Sequence, residues 1–320
     1  MAKLKIWFLD VGHGDSAYIE LPNEARLMID CGCGENQWPS KILNYYKINK
    51  SNNPVPIPND NRKYGLDKLL ITHPHGDHIA NIEAIHDEIG FFFLVGAYRP
   101  FIDKIAEDKI DFRKRNNKAV KKFIKVIKEY TGDYEKEKDR VIASNPPCLV
   151  KHERFIDYEE GIDLNELSWL SSLNIGRQKV LFTGDMTAAG ITKILESNSA
   201  NRFKEFVKDT TVLKVPHHGR KNGCSQELFD AFGQNPLLCV ISDEVLNERN
   251  EGTSATKWYT DRTSDDEILI NGTKKNRCVL TTRSDKDIYL EIDENGTIAV
   301  STNAFSKDKE KILNIKEGIL

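Results

Sequence analysis

No run of the chain approaches the roughly 18 to 20 consecutive apolar residues needed to span a bilayer. The opening residues, MAKLKIWFLDVGHGDS, hold no apolar stretch of useful length before Asp10. The expectation is a protein without a membrane segment, working in the cytoplasm. Cysteine is sparse as well: Cys31, Cys33, Cys148, Cys224, Cys239 and Cys278 are too scattered over 320 residues to form a disulfide framework. Cys31 and Cys33 lack the second close pair that a zinc knuckle needs and read as packed thiols. Charge of one sign is missing too. The 46 Lys and Arg against 49 Asp and Glu leave −3, which excludes a uniformly basic nucleic-acid coat and leaves only local patches. Neither a fixed-period repeat nor a low-complexity tract occurs. What is present, 39% hydrophobic and 9% aromatic residues, is enough core for one large domain or two small ones.

The apolar residues fall into short alternating runs broken by Gly, Pro and Asn. LKIWFLDVG (4–12), SAYIELP (16–22) and ARLMIDCG (25–32) read as strands of an opening meander. SKILNYYKI is a short helix, and the three prolines of NKSNNPVPIPNDN forbid regular structure after it. LDKLLIT reads as a buried strand. Residues 79, 82, 85 and 89 of IANIEAIHDEI recur at helical spacing. LSWLSSLNIG and KVLFTGDM predict a hairpin, AAGITKILES and SQELFDAFG helices, and TVLKVPHHG, LLCVISD, RCVLTT, DIYLEID and TIAVST further strands. Mixed sheets carrying helices on their outer faces satisfy that order.

Residues 101–140 differ in character. Arg113, Lys114, Arg115, Lys118, Lys121, Lys122, Lys125 and Lys128 fall within sixteen residues that hold no acid, while Val120, Phe123, Ile124 and Ile127 mark one apolar face. This basic amphipathic helix is either a solvated outer face or an edge that attracts a polyanion; in the second reading Arg113, Arg115, Lys118 and Lys122 are the contacts.

Possible metal ligands stand at the ends of four predicted strands. Asp30 closes RLMID, His73, His75, Asp77 and His78 follow KLLIT, Asp185 closes KVLFTGD, and His217 and His218 close TVLKVPHH. In layered α/β proteins such strand ends emerge at one edge, so a single shared site is the economical reading. Imidazole and carboxylate suit Zn, Mn or Fe, and two cations about 3.5 to 4 Å apart can activate a water and clamp an oxyanion. His73 and His75 can face one side, and Asp77 and His78, where a helix begins, can serve a second cation. Asp10, His13 and Asp15 in LDVGHGDS read as turn formers, with a place at the site edge the alternative for His13 and Asp15 on the motifs below; His86 and His152 read as structural or surface histidines, the latter in a charged loop, and Ser242 as a pocket-lining candidate.

THPHGDH resembles the His-x-His-x-Asp-His signature of the metallo-β-lactamase superfamily, and MIDCG, LFTGD and KVPHHG stand in the order of its other motifs. More narrowly, FLDVGHGDSAYIE with LFTGD and LKVPHHG resembles the hydrolase domain attached to ComEC-type competence proteins and its stand-alone relatives. The resemblance, over about residues 5–245, implies a four-layer αββα fold, two mixed β-sheets packed face to face with helices outside. It makes residues 1–304 a single domain with a basic helical insertion at about 101–140 and a charged tail at 305–320. It also implies two divalent ions, zinc or else manganese: His73 and His75 on the first, Asp77, His78 and one of His217 and His218 on the second, with His218 preferred, and Asp185 bridging. Asp30 would orient the cluster from outside it, and Asp77, Asp185 and His217 would be the catalytic groups. His13, Asp15, Asn165 and Ser242 would support the site or touch substrate. In LNELSWL, Asn165 stands where many members supply a third histidine to the first ion.

The function expected is a hydrolase that uses a metal-bound hydroxide on a phosphodiester, with nucleic acid or a nucleotide as substrate and partner. The alternatives are hydrolysis of a small ester, lactam, lactone or phosphorylcholine-type substrate, and a non-catalytic binding protein with a degenerate metal site.

Overall fold

Strand alternation decides the layers. In Lys3–Phe8 (β1) Leu4, Ile6 and Phe8 are buried while Lys3, Lys5 and Trp7 turn the other way; Trp7 then packs between Tyr18 and Tyr289 with ring centroids 5.4 and 4.8 Å away. The computed structural model describes residues 3–33, 38–52, 63–96, 117–130, 148–159, 161–248 and 250–314. The further strands are Ser16–Glu20 (β2), Arg26–Cys31 (β3), Leu66–Leu70 (β4), Phe91–Val95 (β5), Cys148–Glu153 (β6), Leu170–Ile175 (β7), Gln178–Phe182 (β8) and Val212–Lys214 (β9). Leu238–Ile241 (β10), Ile268–Ile270 (β11), Thr273–Lys275 (β12), Val279–Thr281 (β13), Ile288–Asp293 (β14) and Ile298–Ser301 (β15) complete them.

Among the described residues these strands form two mixed sheets, one in the order β12-β11-β15-β14-β1-β2-β3-β4-β5 and one in the order β13-β10-β9-β8-β7-β6. The core between them joins Leu4, Ile6, Phe8, Ile19 and Ile29 to Leu173, Val180, Phe182, Val212 and Val240. Each such side chain contributes about 1.5–3 kcal/mol by leaving water. A second apolar cluster lies under the helices Trp38–Tyr45 and Asn117–Glu129, and a third under Ala188–Leu195, Ala200–Val207 and Gln226–Phe232. Helices therefore cover both outer faces, giving the four layers expected. β3-β4-β5 and β8-β9-β10 run parallel within their own sheets, so the residues that follow β8 and β9 leave at one rim, which the approach of His73 to Asp185 shows to be shared with the end of β4.

Several elements depart from the sequence reading. The single helix expected over 79–89 is broken into Gly76–Ile79, Ile82–Ala84 and a wide turn at Ile85–Ile89. Asn81 explains the break: its side chain accepts from the Ser40 N–H and its own N–H donates to the Cys31 carbonyl, so the chain is pinned to neighbouring segments there. His152 lies on β6 rather than in a loop, 2.8 Å from Ser171 Oγ. β5, β6, the helix Ala200–Val207 and the β11–β12 hairpin went unread. Up to Asn314 the expected charged tail is packed: Phe305 and Ile312 share an apolar cluster with Trp38, Ile42, Leu9 and Val11. The prolines of 53–62 and most of the basic insertion, including Arg113 and Arg115, lie outside the described residues. The helix Asn117–Glu129 is basic as expected, with Val120, Phe123, Val126 and Ile127 buried.

Candidate metal centre

Each strand end delivers its residue for a local reason. Thr72, just past β4, donates through its backbone N–H (2.7 Å) and its Oγ1 (2.7 Å) to the two oxygens of Asp30, which sits near the end of β3 with φ at +56°. Asp30 accepts in turn from His78 Nδ1 at 2.8 Å. That contact fixes the ring so that Nε2 points to Asp185 Oδ1, 3.2 Å away. Asp185 is held by its backbone N–H donating to Ser168 Oγ at 3.0 Å. His217 and His218 both adopt left-handed backbone, φ +49° and +51°, which costs on the order of 1 kcal/mol each and marks a constrained site. The turn sends His218 Nδ1 to the Ser242 carbonyl at 3.0 Å and its Nε2 to Asp77 Oδ2 (3.3 Å) and Asp185 Oδ2 (3.4 Å).

Asp185 is the hub. Besides His78 and His218 it has His73 Nε2 and His217 Nε2 each 3.9 Å from Oδ2, so one buried carboxylate meets four imidazoles. The ligand atoms of Asp77, His78, Asp185 and His218 all lie within 4.8 Å of one another. His78 Nε2, His218 Nε2 and Asp185 Oδ1 are buried without a hydrogen-bond partner. Buried polar atoms are rarely left so, and converging nitrogen and oxygen lone pairs at this spacing fit a divalent cation. Asp15, Asp30 and His78 form a second close group behind the first; its charge is offset by Lys214 Nζ, 2.6 Å from Asp15 Oδ1.

Electrostatics follow the same geometry. Burial works against the charged forms, yet Asp185 and Asp30 hold His78 well above the usual histidine range, and Asp185 with Asp77 pushes His218 up to about 10. Burial likewise opposes ionisation of Asp185, but His218 and His78 hold it well below the carboxylate range. Burial, then His78 and His75, keeps His73 far below the histidine range and hence neutral. The imidazolium of His218 thus steadies the cation-free cluster fully below about pH 6.5, and that contribution fades as the pH climbs towards 10. A cation must displace the same proton. Zinc affinity is therefore expected to rise with pH from 6 to 9, with proton release on binding at pH 7, measured by titration calorimetry in buffers of different ionisation enthalpy; pH-independent binding without proton release would contradict it.

The residues expected from sequence separate clearly. His73, His75, Asp77, His78, Asp185, His217 and His218 come together, with Asp30 directly behind them. His13 reaches the rim, its Nε2 3.4 Å from Asp77 Oδ2 and its ring 4.6 Å from that of His218. Ser242 is buried and serves through its carbonyl. Asn165 is buried with its N–H donating to Asp163 Oδ1 and its own Oδ1 without a hydrogen-bond partner. Asp15 is committed to Lys214. Lys122 is engaged by Glu83 at 2.5 Å, with Lys125 at 3.6 Å, a surface pairing worth under about 1 kcal/mol, whereas Lys118 is exposed. Sequence reasoning missed Thr72, Ser168, Lys214 and Asp243. Lys214 had a signal, a lysine inside the apolar run VLKVP. Asp243 had none beyond closing a strand; it is buried and takes Arg220 (2.7 Å) and Arg283 (3.0 Å), tying down the loops that carry Ser242 and His218.

Residues 9–91 match the family model described as Metallo-beta-lactamase superfamily, and the mixed α/β architecture of two sheets with helices outside is consistent with that fold. No curated protein matches the chain. Among solved structures it is similar to the metallo-beta-lactamase fold protein YhfI from Bacillus subtilis, at 11% identity over 93% of this chain and 99% of that one, TM-score 0.43. It is similar also to AidC, a dizinc quorum-quenching lactonase (12% identity, 62% and 69% covered, TM-score 0.37). A third is Tm1679, a metal-dependent hydrolase of the beta-lactamase superfamily (14% identity, 72% and 92% covered, TM-score 0.31). The matched residues 9–91 contain the signature at 73–78.

Proposed function

We propose that the protein is a metal-dependent hydrolase of phosphodiesters, acting on nucleic acid or a nucleotide and related to the hydrolase domain of ComEC-type competence proteins. The observation that carries the hydrolase reading is the convergence of Asp77, His78, Asp185 and His218 with orphaned, buried ligand atoms. Divalent cations bound there, zinc or manganese, would supply Lewis acidity and a lowered pKa for a water molecule. The chain's own residues do the rest. Asp30 and the Ser242 carbonyl lock the rings of His78 and His218. Asp77, a quarter exposed, faces the cleft and can take the proton of the attacking water. His217, 20% exposed beside Asp185, is placed to meet the leaving group.

The substrate reading rests on charge. The helix Asn117–Glu129 packs directly on Gly76–Ile79, which carries Asp77 and His78, so its exposed Lys118, Lys121 and Lys128 lie on the element next to the centre. A polyanion would be drawn towards that edge. The triple variant Lys118→Glu, Lys121→Glu, Lys128→Glu is expected to raise KM for a polynucleotide about tenfold and to leave a small chromogenic diester nearly unchanged. Wild-type turnover on polynucleotide should fall steeply with added salt. Equal effects on both substrates, or a neutral ester or lactone cleaved faster than any diester in a panel of DNA, RNA, cyclic dinucleotides and small esters, would overturn the substrate assignment.

A further inference from the structure

Resting on that hydrolase reading, we infer that the two cation sites are unequal: the site of Asp77, His78, Asp185 and His218 is the tight one, and the site of His73 and His75 with Asp185 fills only at higher metal concentration. The hydrogen-bond roles carry the inference. Thr72 Oγ1 has a single hydrogen, and Asp30 Oδ2 at 2.7 Å takes it. His73 Nδ1, 3.2 Å from Thr72 Oγ1, must therefore donate to that hydroxyl oxygen, leaving a lone pair on His73 Nε2. His75 Nδ1 lies 3.0 Å from this Nε2 and supplies the hydrogen. The two rings of the first site thus satisfy each other, and a cation taken between His73 Nε2 and His75 Nδ1, the atoms that face each other, must first break their bond and move the His75 hydrogen to Nε2.

The other site is prepared in advance. His78 and His218 spend their Nδ1 hydrogens on Asp30 and the Ser242 carbonyl, at 2.8 and 3.0 Å, and aim Nε2 at Asp185 and Asp77 from 3.2 to 3.4 Å, so each ring has only to give up its Nε2 proton, without turning or changing its Nδ1 bond, to become a ligand. Outer contacts of this kind fix the tautomer and orientation a metal needs. Its four ligand atoms already lie within 4.8 Å of one another, whereas His73 and His75 belong to neither of the close groups found among the described residues. Asn165, where a third histidine would stand, offers no imidazole, and His217 approaches Asp185 only to 3.9 Å. Fewer ligands and a competing internal hydrogen bond act in the same direction.

The test is a zinc titration of the full chain against a competing chelator, with His75→Ala, Asp77→Asn and His218→Ala beside the wild type and folding checked by circular dichroism. The expected wild-type curve has two classes, the first at least about tenfold tighter than the second. His75→Ala should keep the tight equivalent within about twofold and lose the weak one. Asp77→Asn and His218→Ala, either of which suffices if the other fails to fold, should weaken the tight class at least about tenfold. Two equal classes in the wild type, or a tight class lost in His75→Ala and kept in His218→Ala, would overturn the inference. The outcomes separate it from the functional reading: two unequal sites in a chain that cleaves no diester refute only the function, active protein with equal sites refutes only the inference, and a chain that binds no zinc refutes both.

Discussion

Replacing Asp185 with Asn is expected to lower kcat/KM on a phosphodiester by roughly a thousandfold or more while leaving the far-ultraviolet circular dichroism unchanged. The substitution keeps the shape and the backbone anchor, since the bond from the Asp185 N–H to Ser168 Oγ does not involve the side chain. It removes the charge and one of two oxygens around which four imidazoles are arranged, at 3.2, 3.4, 3.9 and 3.9 Å. An amide offers one neutral oxygen, so it cannot serve both cation positions at once. Zinc bound at saturating concentration should fall from two equivalents towards one or fewer, measured by titration against a competing chelator. A variant with near-normal turnover would show that Asp185 does not join the two halves of the centre.

Gly32→Ala should be the most damaging single methyl group near the site. A Cβ at this position would lie 1.8 Å from the backbone oxygen of Asp77 and 2.8 Å from that of Asp15. Neither neighbour is a side-chain end that can rotate away. Both belong to a chain of backbone bonds in which Gly32 N–H donates to Asp15 O at 2.8 Å and Asp15 N–H donates to Asp77 O at 3.1 Å. The glycine therefore sets how closely the segment bearing Asp77 and His78 approaches β2 and β3. The expected cost is about 3 kcal/mol or more, read as a lower urea midpoint, together with at least a tenfold loss of zinc affinity. Wild-type stability and affinity in this variant would mean that the loops relax freely, contrary to the account of how the site is held.

The candidate ligands were legible in the sequence because a strand end is a local feature. The apolar runs before Asp30, His73, Asp185 and His217 announce the strands, and the polar residues after them have few reasons to cluster other than a common site. Fold class followed from the same runs. The helix at 79–89 misled because apolar spacing reports which face is buried and says nothing of Asn81, whose bonds to Ser40 and Cys31 depend on segments distant in sequence. The groups that make the centre rigid were hidden for a similar reason. Thr72 and Ser168 look like ordinary turn and strand residues, and Asp243 acquires its two arginines only when β10 comes to lie between β9 and β13. The basic helix was legible as an element but not in its pairings, since Glu83, which takes Lys122 and Lys125, lies on a different helix.

The central claim is that strand ends from both sheets build a divalent-metal centre that hydrolyses phosphodiesters. Its most direct test is the metal content of the purified chain measured alongside hydrolysis of a chromogenic phosphodiester, before and after chelation and re-addition of zinc or manganese. The account predicts up to two equivalents per chain, activity that disappears with the metal, and recovery as the metal returns. Well under one equivalent per chain, with no diesterase activity gained on adding either ion, would contradict it.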